Sequence, residues 1–596
     1  MPIDGLVFTA LVQELAGSLK NARIQGVFQP SPTDLVLQLR QPGKTYRLAI
    51  SIDPSLARVH LTGEDPENPL APPAFCALLR KHLVPGRVAG IRQPPLERVL
   101  ELVVDGRGDA GERTRRHLYV EIMGRHSNVI LTDDEGRILD AMKRVPGDVN
   151  RHRELLPARP YLPPPAQERV DPWTLDPEAF DRMVRLVPAG AKPAEVLAQN
   201  VAGFSPLAGR EVVARAGLDP GVTREALAPG DVPKLYQAFR EVVQALEPGR
   251  AEPCAVDAGE RVEFWLLPLL TVEGACRRFP SVNQLVDWVY RRRAAGERFR
   301  REQKRLAAAV DQHLRRLDRK IQLQQQEVEA ARRADEYRTA GDLLMSYLHE
   351  VQPGASRVEL PNFYDGGRPF AIELDPSETP AANAQRYYRK YQKAKKTLEK
   401  AAAQLEASRS ERAYLESVKT ALELSESPAE LEEVEEELRR EGYLPERTGP
   451  GHKPRAKAQA AASSPLTWTS SDGFRIVVGR NNRQNDLVTM QMARGDDLWL
   501  HAQGIPGAHV IVQTGGKDVP EQTLLEAAVL AALYSKARDS ANVPVDYTFR
   551  RYVRKPRGAK PGMVIYDHQR TLFVTPDPHL PERLGARPPE RPESSL

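Results

Sequence analysis

Cysteine is nearly missing from this sequence. Cys76, Cys254 and Cys276 are the only three in 596 residues, and no two are spaced as a CxxC pair. That spacing excludes a disulfide framework or a four-cysteine zinc site within one chain, and it fits a reducing cytoplasm. Long apolar runs are missing as well, since nothing approaches the roughly 20 residues of a membrane span. The N-terminal MPIDGLVFTALVQELAGSLK carries an acid at Asp4, no basic region and no long apolar core, so it is not a signal peptide. A dominant charge is also lacking. Lys and Arg number 85 against 80 Asp and Glu, a net charge of +5, so any nucleic-acid argument must come from local clusters. These absences predict a soluble, cytoplasmic chain with no membrane partner. Its length implies roughly three to five domains.

What is present reads as a multidomain α+β protein. Residues 1–172 combine a helical GLVFTALVQELAGSLK with short alternating runs such as YRLAISI, RVLELVVDG and HLYVEIMG, and end in the proline-rich LPARPYLPPPAQE. Residues 173–282 are mostly helical and then return to strand character. Within them EVLAQNVAGFSPLAGREVVARAGLD gives two short helices around Gly203 with a stop at Gly217. A helix-hairpin-helix, which binds phosphates through backbone amides at its turn, fits that pattern, and so does an ordinary helical pair. Residues 283–445 predict an antiparallel coiled-coil hairpin. Leu314, Leu317, Ile321, Gln324 and Val328 form one seam at alternating steps of three and four; Tyr391, Ala394, Leu398, Ala401 and Leu405 form the other. Between the arms, about 341–380, RVELPNFYDGGRPFAIEL reads as a β-hairpin head. A basic linker at 446–465 precedes a last folded unit at 466–577, and residues 578–596 are expected to be disordered.

That last unit holds NVPVDYTFRRYVRKPRGAKPG, with six Arg or Lys between Arg550 and Lys560 and no acid among them. Strict alternation puts Val543, Val545, Tyr547 and Phe549 on one strand face and Asp546, Thr548, Arg550, Tyr552 and Arg554 on the other. A basic face with an interleaved aromatic suits phosphates and stacked bases, and Lys555, Arg557 and Lys560 extend it into the following loop. Arg480, Asn481, Asn482, Arg483, Asn485, Asp497, His501 and His509 cluster earlier in the unit. The cluster has no HxH or HExxH motif and no nucleophile in a sharp turn, so riboses and base edges suit it better than a metal or hydrolase site. In the first domain EIMGRHSN (Glu121 to Asn128) and the Glu97–Arg98 pair are the polar candidates. Pro2, exposed once the initiator Met is removed, could act as a Schiff-base nucleophile, which would make a DNA glycosylase.

Taken together, the IDG start (Ile3 to Gly5), EIMGRHSN, the two-armed coil and the strings NDLVT, DDLWLH, IPGAHV, YSKARDS, VPVDYT and VRKPRGAKPG resemble the NEMF-like family. Its bacterial members are the RqcH proteins, called NFACT proteins and fibronectin-binding protein A homologues. The resemblance covers essentially the whole chain. It implies a DNA-glycosylase-like N-terminal fold, a helix-hairpin-helix domain, a coiled-coil arm with a tip, and a C-terminal RNA-binding domain. It also implies a role in ribosome quality control: binding large subunits obstructed by peptidyl-tRNA, recruiting tRNA, mainly alanyl-tRNA, and supporting mRNA-independent alanine tailing. The ribosome itself would make the peptide bonds, and neither cofactor, metal nor DNA is implied. Residue by residue, the family's tRNA-binding positions fall on Asp4, Glu97, Arg98, Glu121, Ile122 and Met123, and Arg125, His126 and Asn128 stand beside them. Glu97 replaces the family's Asp, Gln491 a lysine and Ala508 a serine. The surface-adhesin role suggested by the older family name would require export, for which the sequence shows no signal; the glycosylase reading lacks a Glu after Pro2 and the cysteines for a zinc finger.

Overall fold

A computed structural model describes residues 3–65, 67–108, 111–150, 153–165, 168–257, 262–332, 334–446 and 463–585, with the side chains of 330–332 left aside. Pro2 and most of the basic linker lie outside the described residues. The chain divides into two units, Met1–Glu297 and Arg298–Leu596.

The first unit begins with α1 (Gly5–Leu19). This helix is apolar on nearly every side and lies buried, which is what a central helix requires. Strands β1 (Arg23–Ser31), β2 (Asp34–Gln41), β3 (Lys44–Ser51), β4 (Arg58–Leu61), β5 (Gly86–Arg92), β6 (Val99–Arg107), β7 (Arg113–Glu121), β8 (Asn128–Thr132) and β9 (Ile138–Ala141) make one antiparallel sheet, ordered β4-β3-β2-β1-β5-β6-β7-β8-β9. Helix α2 (Ala74–Leu83) buries Phe75, Cys76, Leu79 and Leu83 against it. Helices α3 (Pro177–Arg185), α4 (Pro193–Asn200), α5 (Pro206–Arg215) and α6 (Asp231–Gln244) follow. Helices α4 and α5 approach so closely that a Cβ on Gly209 would sit 2.0 Å from the Ala194 carbonyl oxygen, so only glycine fits there. Between them Gly203 turns the chain at φ +79°.

Strands β10 (Cys254–Asp257), β11 (Val262–Trp265) and β12 (Cys276–Arg278) form a small antiparallel sheet, ordered β11-β10-β12. Its pairing joins Cys254 to Cys276 as a disulfide, whereas Cys76 is a buried free thiol. This corrects the expectation that the cysteine spacing excludes disulfide pairing within the chain: residues 22 apart in sequence are brought to adjacent strands. The first turns of α7 (Val282–Arg332) add Val282, Leu285, Val286, Val289 and Tyr290 to the same core as Ile3, Leu100 and Phe239. Among the described residues one core therefore runs through both residue 172 and residue 282, the expected limits of the first two domains.

In the second unit α7 continues, followed by α8 (Ala334–Ser346), the hairpin strands β13 (Arg357–Asn362) and β14 (Arg368–Glu373), α9 (Pro380–Leu424) and α10 (Pro428–Arg440). Polar contacts fix the register of the arm. Asp311 meets Lys419 at 2.7 Å, Asp318 meets Arg412 at 2.6 Å, and Asp342 meets the Tyr388 hydroxyl at 2.7 Å. Each step forward on one arm is matched by an equal step back on the other, which is antiparallel pairing without slippage. The 45 residues of α9 span about 67 Å at 1.5 Å per residue. Leu343, Leu344, Leu360, Ile372, Ala384 and Tyr387 form a separate small core under the hairpin.

The last part of the chain contains β15 (Leu466–Thr469), β16 (Arg475–Val478), α11 (Asn482–Asp486), a π-helical turn (Leu487–Met492), β17 (Leu498–Ala502), β18 (Val510–Gln513), α12 (Glu521–Leu533), β19 (Val543–Phe549), β20 (Val553–Arg554), β21 (Ile565–Tyr566), β22 (Arg570–Val574) and α13 (Leu580–Arg583). Six strands form an antiparallel sheet, β15-β16-β18-β17-β19-β22. Helix α12 covers one face. The π-helical turn and the β20–β21 pair cover the other, where Val477, Val488, Trp499, Ile511 and Val553 pack together. The expected disorder from residue 578 is corrected for its first part, because Leu580 of α13 is buried against the α12 side of the sheet.

Candidate nucleic-acid interfaces

The basic strand is shorter and drier than alternation predicted. Strand β19 stops at Phe549, and Arg550–Tyr552 form a turn of 3-10 helix, so Arg550, Tyr552 and Arg554 do not share one strand face. Its even face is not solvated, because the second layer covers it. Asp546 is buried and accepts from Tyr566 Oη at 2.8 Å, Thr571 Oγ1 at 2.6 Å and Gln503 Nε2 at 3.1 Å. Nor is the charge unneutralised. Arg551 pairs with Asp496 at 2.8 Å, Arg554 with Asp567 at 2.5 Å, Lys555 with Asp486, and Lys560 with Glu441 at 2.5 Å. Arg550 donates to the Thr489 and Val553 carbonyls and braces the π-helical turn. Arg557 is exposed and makes no ion pair among the described residues.

The Arg/Asn cluster is likewise occupied, by α10. Glu430, Glu433, Glu437 and Glu441 follow at steps of three, four and four and so share one helical side. Glu430 binds Arg480; Glu433 accepts from Asn481 Nδ2 at 2.7 Å; Glu437 accepts from Asn482 Nδ2 at 3.0 Å and from Tyr414 Oη at 2.8 Å. Burial pushes the Glu437 carboxyl above its ordinary range, and its two hydrogen bonds pull the other way. Asn485 is buried, donating to the Gly507 carbonyl at 3.1 Å and accepting from His509 N at 2.9 Å. Asp497 is buried and accepts from Arg494 N at 2.7 Å and Thr514 N at 2.8 Å. His509 lies buried beside Thr489 Oγ1 at 2.8 Å, with the partly buried His501 ring 5.4 Å away. Burial holds both imidazoles below their ordinary pKa, His501 down to about 4. Arg480, Asn482, Asn485, Asp497 and His509 are thus structural in this conformation, a correction to their expected RNA-facing role. Arg483 stays exposed.

The first unit sorts its candidates the same way. Glu121 is fully buried, bound by Arg153 at 2.5 Å and the Tyr161 hydroxyl at 2.9 Å; burial raises its pKa, against the pull of Arg153. Ile122 is core, and the buried Asn128 side chain brackets Lys143, accepting from its N at 2.9 Å and donating to its carbonyl at 2.7 Å. These three cannot present side chains to a ligand. Met123 is half-buried, and Arg125 and His126 stand exposed on the turn that Gly124 makes at φ +58°.

Asp4 caps α1 by accepting from Val7 N at 2.9 Å, and also accepts from Ser205 Oγ at 2.9 Å and Trp265 Nε1 at 3.2 Å. Desolvation raises its pKa, opposed by those hydrogen bonds and by the nearby charge of Arg98. Gly5 permits this joint, since its Cβ would lie 2.5 Å from Gly203 Cα. Arg98 Nη1 lies 3.5 Å from the Ile3 carbonyl, and among the described residues it forms no ion pair with Glu97. The Glu97 backbone is held instead, its N donating to the Pro94 carbonyl at 3.0 Å and its carbonyl accepting from Gln93 Nε2 at 2.7 Å. The structure therefore groups Arg98 with Asp4, not with its sequence neighbour, because Leu96 at φ +59° turns the chain just before the pair.

Sequence reasoning passed over Arg475, Arg494 and Lys517, which are exposed and have no ion pair among the described residues. They are scattered along the chain, and no local signal joins them. Among those residues no group of three His, Cys, Asp or Glu is placed to hold a metal, and no helix is long and apolar enough to cross a membrane.

The family model for NFACT N-terminal and middle domains matches residues 4–457, and that for the NFACT protein RNA binding domain matches 465–567. The chain is similar to the Rqc2 homolog RqcH of Bacillus subtilis, with 37% identity over 580 residues that make up 97% of this chain and 98% of that one. Similarity to the Rqc2 homolog RqcH of Streptococcus pneumoniae is 33% over 579 residues, covering 97% and 98%. Among solved structures, the C-terminal part of the fibronectin/fibrinogen-binding protein from Streptococcus suis is 34% identical and covers 48% of this chain and 99% of its own, with a TM-score of 0.38.

Proposed function

The chain belongs to the RqcH/NEMF family, and from that premise we propose that it acts in cytoplasmic ribosome quality control as an RNA-binding elongation factor and adaptor, not an enzyme. It binds large ribosomal subunits obstructed by peptidyl-tRNA, recruits tRNA, chiefly alanyl-tRNA, and supports extension of the stalled chain by alanine, which marks it for degradation. Peptide-bond formation stays with the ribosome. The observation that carries this reading is the end-to-end match to RqcH proteins, running from the first sheet through the arm to the RNA-binding domain. In this reading Arg98, Arg125 and His126 are the tRNA-facing groups of the first unit. Asp4, fixed by three donors, stands near Arg98 and positions it. The arm supplies reach along a ribosomal surface.

The test is purification of the tagged full chain from cells under translational stalling, with gradient sedimentation and sequencing of bound tRNA. The protein is expected with large subunits, carrying tRNA enriched for alanine acceptors. Arg98→Ala is expected to lose the tRNA and keep the subunit. A wild-type protein found only at the top of the gradient would remove the reading.

A further inference from the structure

Antiparallel pairing sets Arg475 of β16 opposite Gln513 of β18, so the loop from Thr514 to Lys517 leaves the sheet beside Arg475. A second loop, carrying Arg494, is clamped to the first by Asp497, whose carboxylate accepts from both Arg494 N and Thr514 N. Between them opens a cleft of about 560 Å³, a volume typical of ligand sites. Phe474 and Met492, partly buried on the two opposite core layers, supply apolar wall; Gly515, at φ +59° with nothing within 4 Å of a built Cβ, leaves the rim open. Three cations converge here with no partner among the described residues. Of the two acids in the lining, Asp497 is spent inside the clamp, and Asp472 accepts from Thr523 Oγ1 at 2.7 Å.

All three cations are exposed without an ion pair among the described residues, and the two carboxylates in the lining are engaged in holding loops, Asp497 by backbone amides and Asp472 by the Thr523 hydroxyl. We propose that this cleft is the site where the C-terminal domain takes a single-stranded RNA segment, with Arg475, Arg494 and Lys517 on successive phosphates and a base or ribose against Phe474 and Met492. The proposal rests on the RNA-binding part of the function given above and moves its contact surface away from the basic strand. The strand's cations are mostly bound to acids, whereas the cleft's are available.

The measurement is affinity of the full chain for a fluorescent 12-nucleotide oligouridine across a salt series, for wild type, R475Q/R494Q/K517Q and R554Q/K555Q. All five side chains reach solvent, so glutamine leaves the fold intact. Three lost phosphate contacts are expected to flatten the log–log salt slope by about 2, at roughly 0.7 per contact on a single strand, with affinity down at least tenfold. Inorganic tripolyphosphate is expected to compete only weakly, because it cannot use the apolar wall, and Phe474→Ala should weaken oligouridine while leaving tripolyphosphate unchanged. A triple variant with wild-type slope and affinity overturns the proposal, as does loss confined to R554Q/K555Q. The same gradient sedimentation separates the two readings: if wild type still rides on large subunits while the triple variant binds oligouridine normally, only the cleft assignment falls.

Discussion

Replacing Asp4 separates a joint of the fold from a contact for RNA. Its carboxylate caps α1 through Val7 N, orders the start of α5 through Ser205 Oγ, and satisfies the indole N–H of Trp265, which is 1% exposed. In Asp4→Ala the lost cap costs about 1 kcal/mol. The stranded indole N–H adds about 1–3 kcal/mol. The Ser205 hydroxyl still accepts from Ala208 N at 3.2 Å and adds little. The local loss is then about 2–4 kcal/mol, which at 1.4 kcal/mol per decade is roughly 30- to 700-fold faster amide exchange. Hydrogen exchange on the full chain would read it in peptides covering Gly5–Leu19 and Pro206–Arg215, with α12 as the unaffected internal reference. Asp4→Asn keeps one acceptor and removes a charge that burial disfavours, so it should exchange more slowly than Asp4→Ala by about the worth of the cap, ~1 kcal/mol. If Asp4→Ala exchanges like wild type at both helices yet binds no tRNA, Asp4 is an RNA contact and the joint is misread.

Two further outcomes follow from buried polar groups of the second unit. Glu437→Ala should leave Asn482 Nδ2 and the Tyr414 hydroxyl without their partner and loosen α10 from α11 by about 2–3 kcal/mol; exchange in α11 checks it, and unchanged protection would mean that the acidic helix does not hold this loop. His501 and His509 have folded pKa values depressed by burial, so the stability they contribute is present above the unfolded value of about 6.5 and is lost as pH falls below it, for His501 toward about 4. His509→Gln should flatten that acid limb of an unfolding curve followed by Trp499 fluorescence, since the rings lie 5.2 Å apart; an unaltered limb would place the acid sensitivity elsewhere.

Periodicity carried part of the arm, because a coiled coil writes its contacts into the chain every three and four residues. Of the ten expected seam positions Leu317, Gln324, Ala401 and Leu405 are buried and the other six are partly buried. It failed on β19, where Asp546 and Thr548 have the polarity of a solvent face and lie under a second layer. Alternation reports side-chain polarity, and a buried carboxylate with three donors looks the same in sequence as a hydrated one. Glu121 and Asn128 could equally be read as surface groups or as satisfied buried ones, because the partners that bury them, Arg153, Tyr161 and Lys143, stand 15 to 40 residues away. Gly203 could be seen as a turn residue, but the close approaches at Gly5, Gly203 and Gly209 that join α1 to the α4–α5 turn and α4 to α5 could not.

Charge shows the limit most sharply. Six cations in eleven residues with no acid between them looked like an anion-binding edge. Lys555 is neutralised from 69 residues away, Lys560 from 119, Arg551 from 55 and Arg554 from 13. A run of like charge is costly to fold unless distant acids answer it, so a run that sits in a well-ordered domain has already been selected for partners elsewhere in the chain. The cations free to meet phosphate are then those whose acidic neighbours are committed to something else. Arg494 shows how: the adjacent Asp497 turns inward to hold two loops, and the guanidinium is left to the cleft. By that criterion Arg494 outranks the basic strand, and Arg475 and Lys517, likewise without an ion pair among the described residues, stand with it although no short window of sequence contains all three; Arg557, exposed and without an ion pair among the described residues, is the member of the strand's run best placed to join them in contacting RNA.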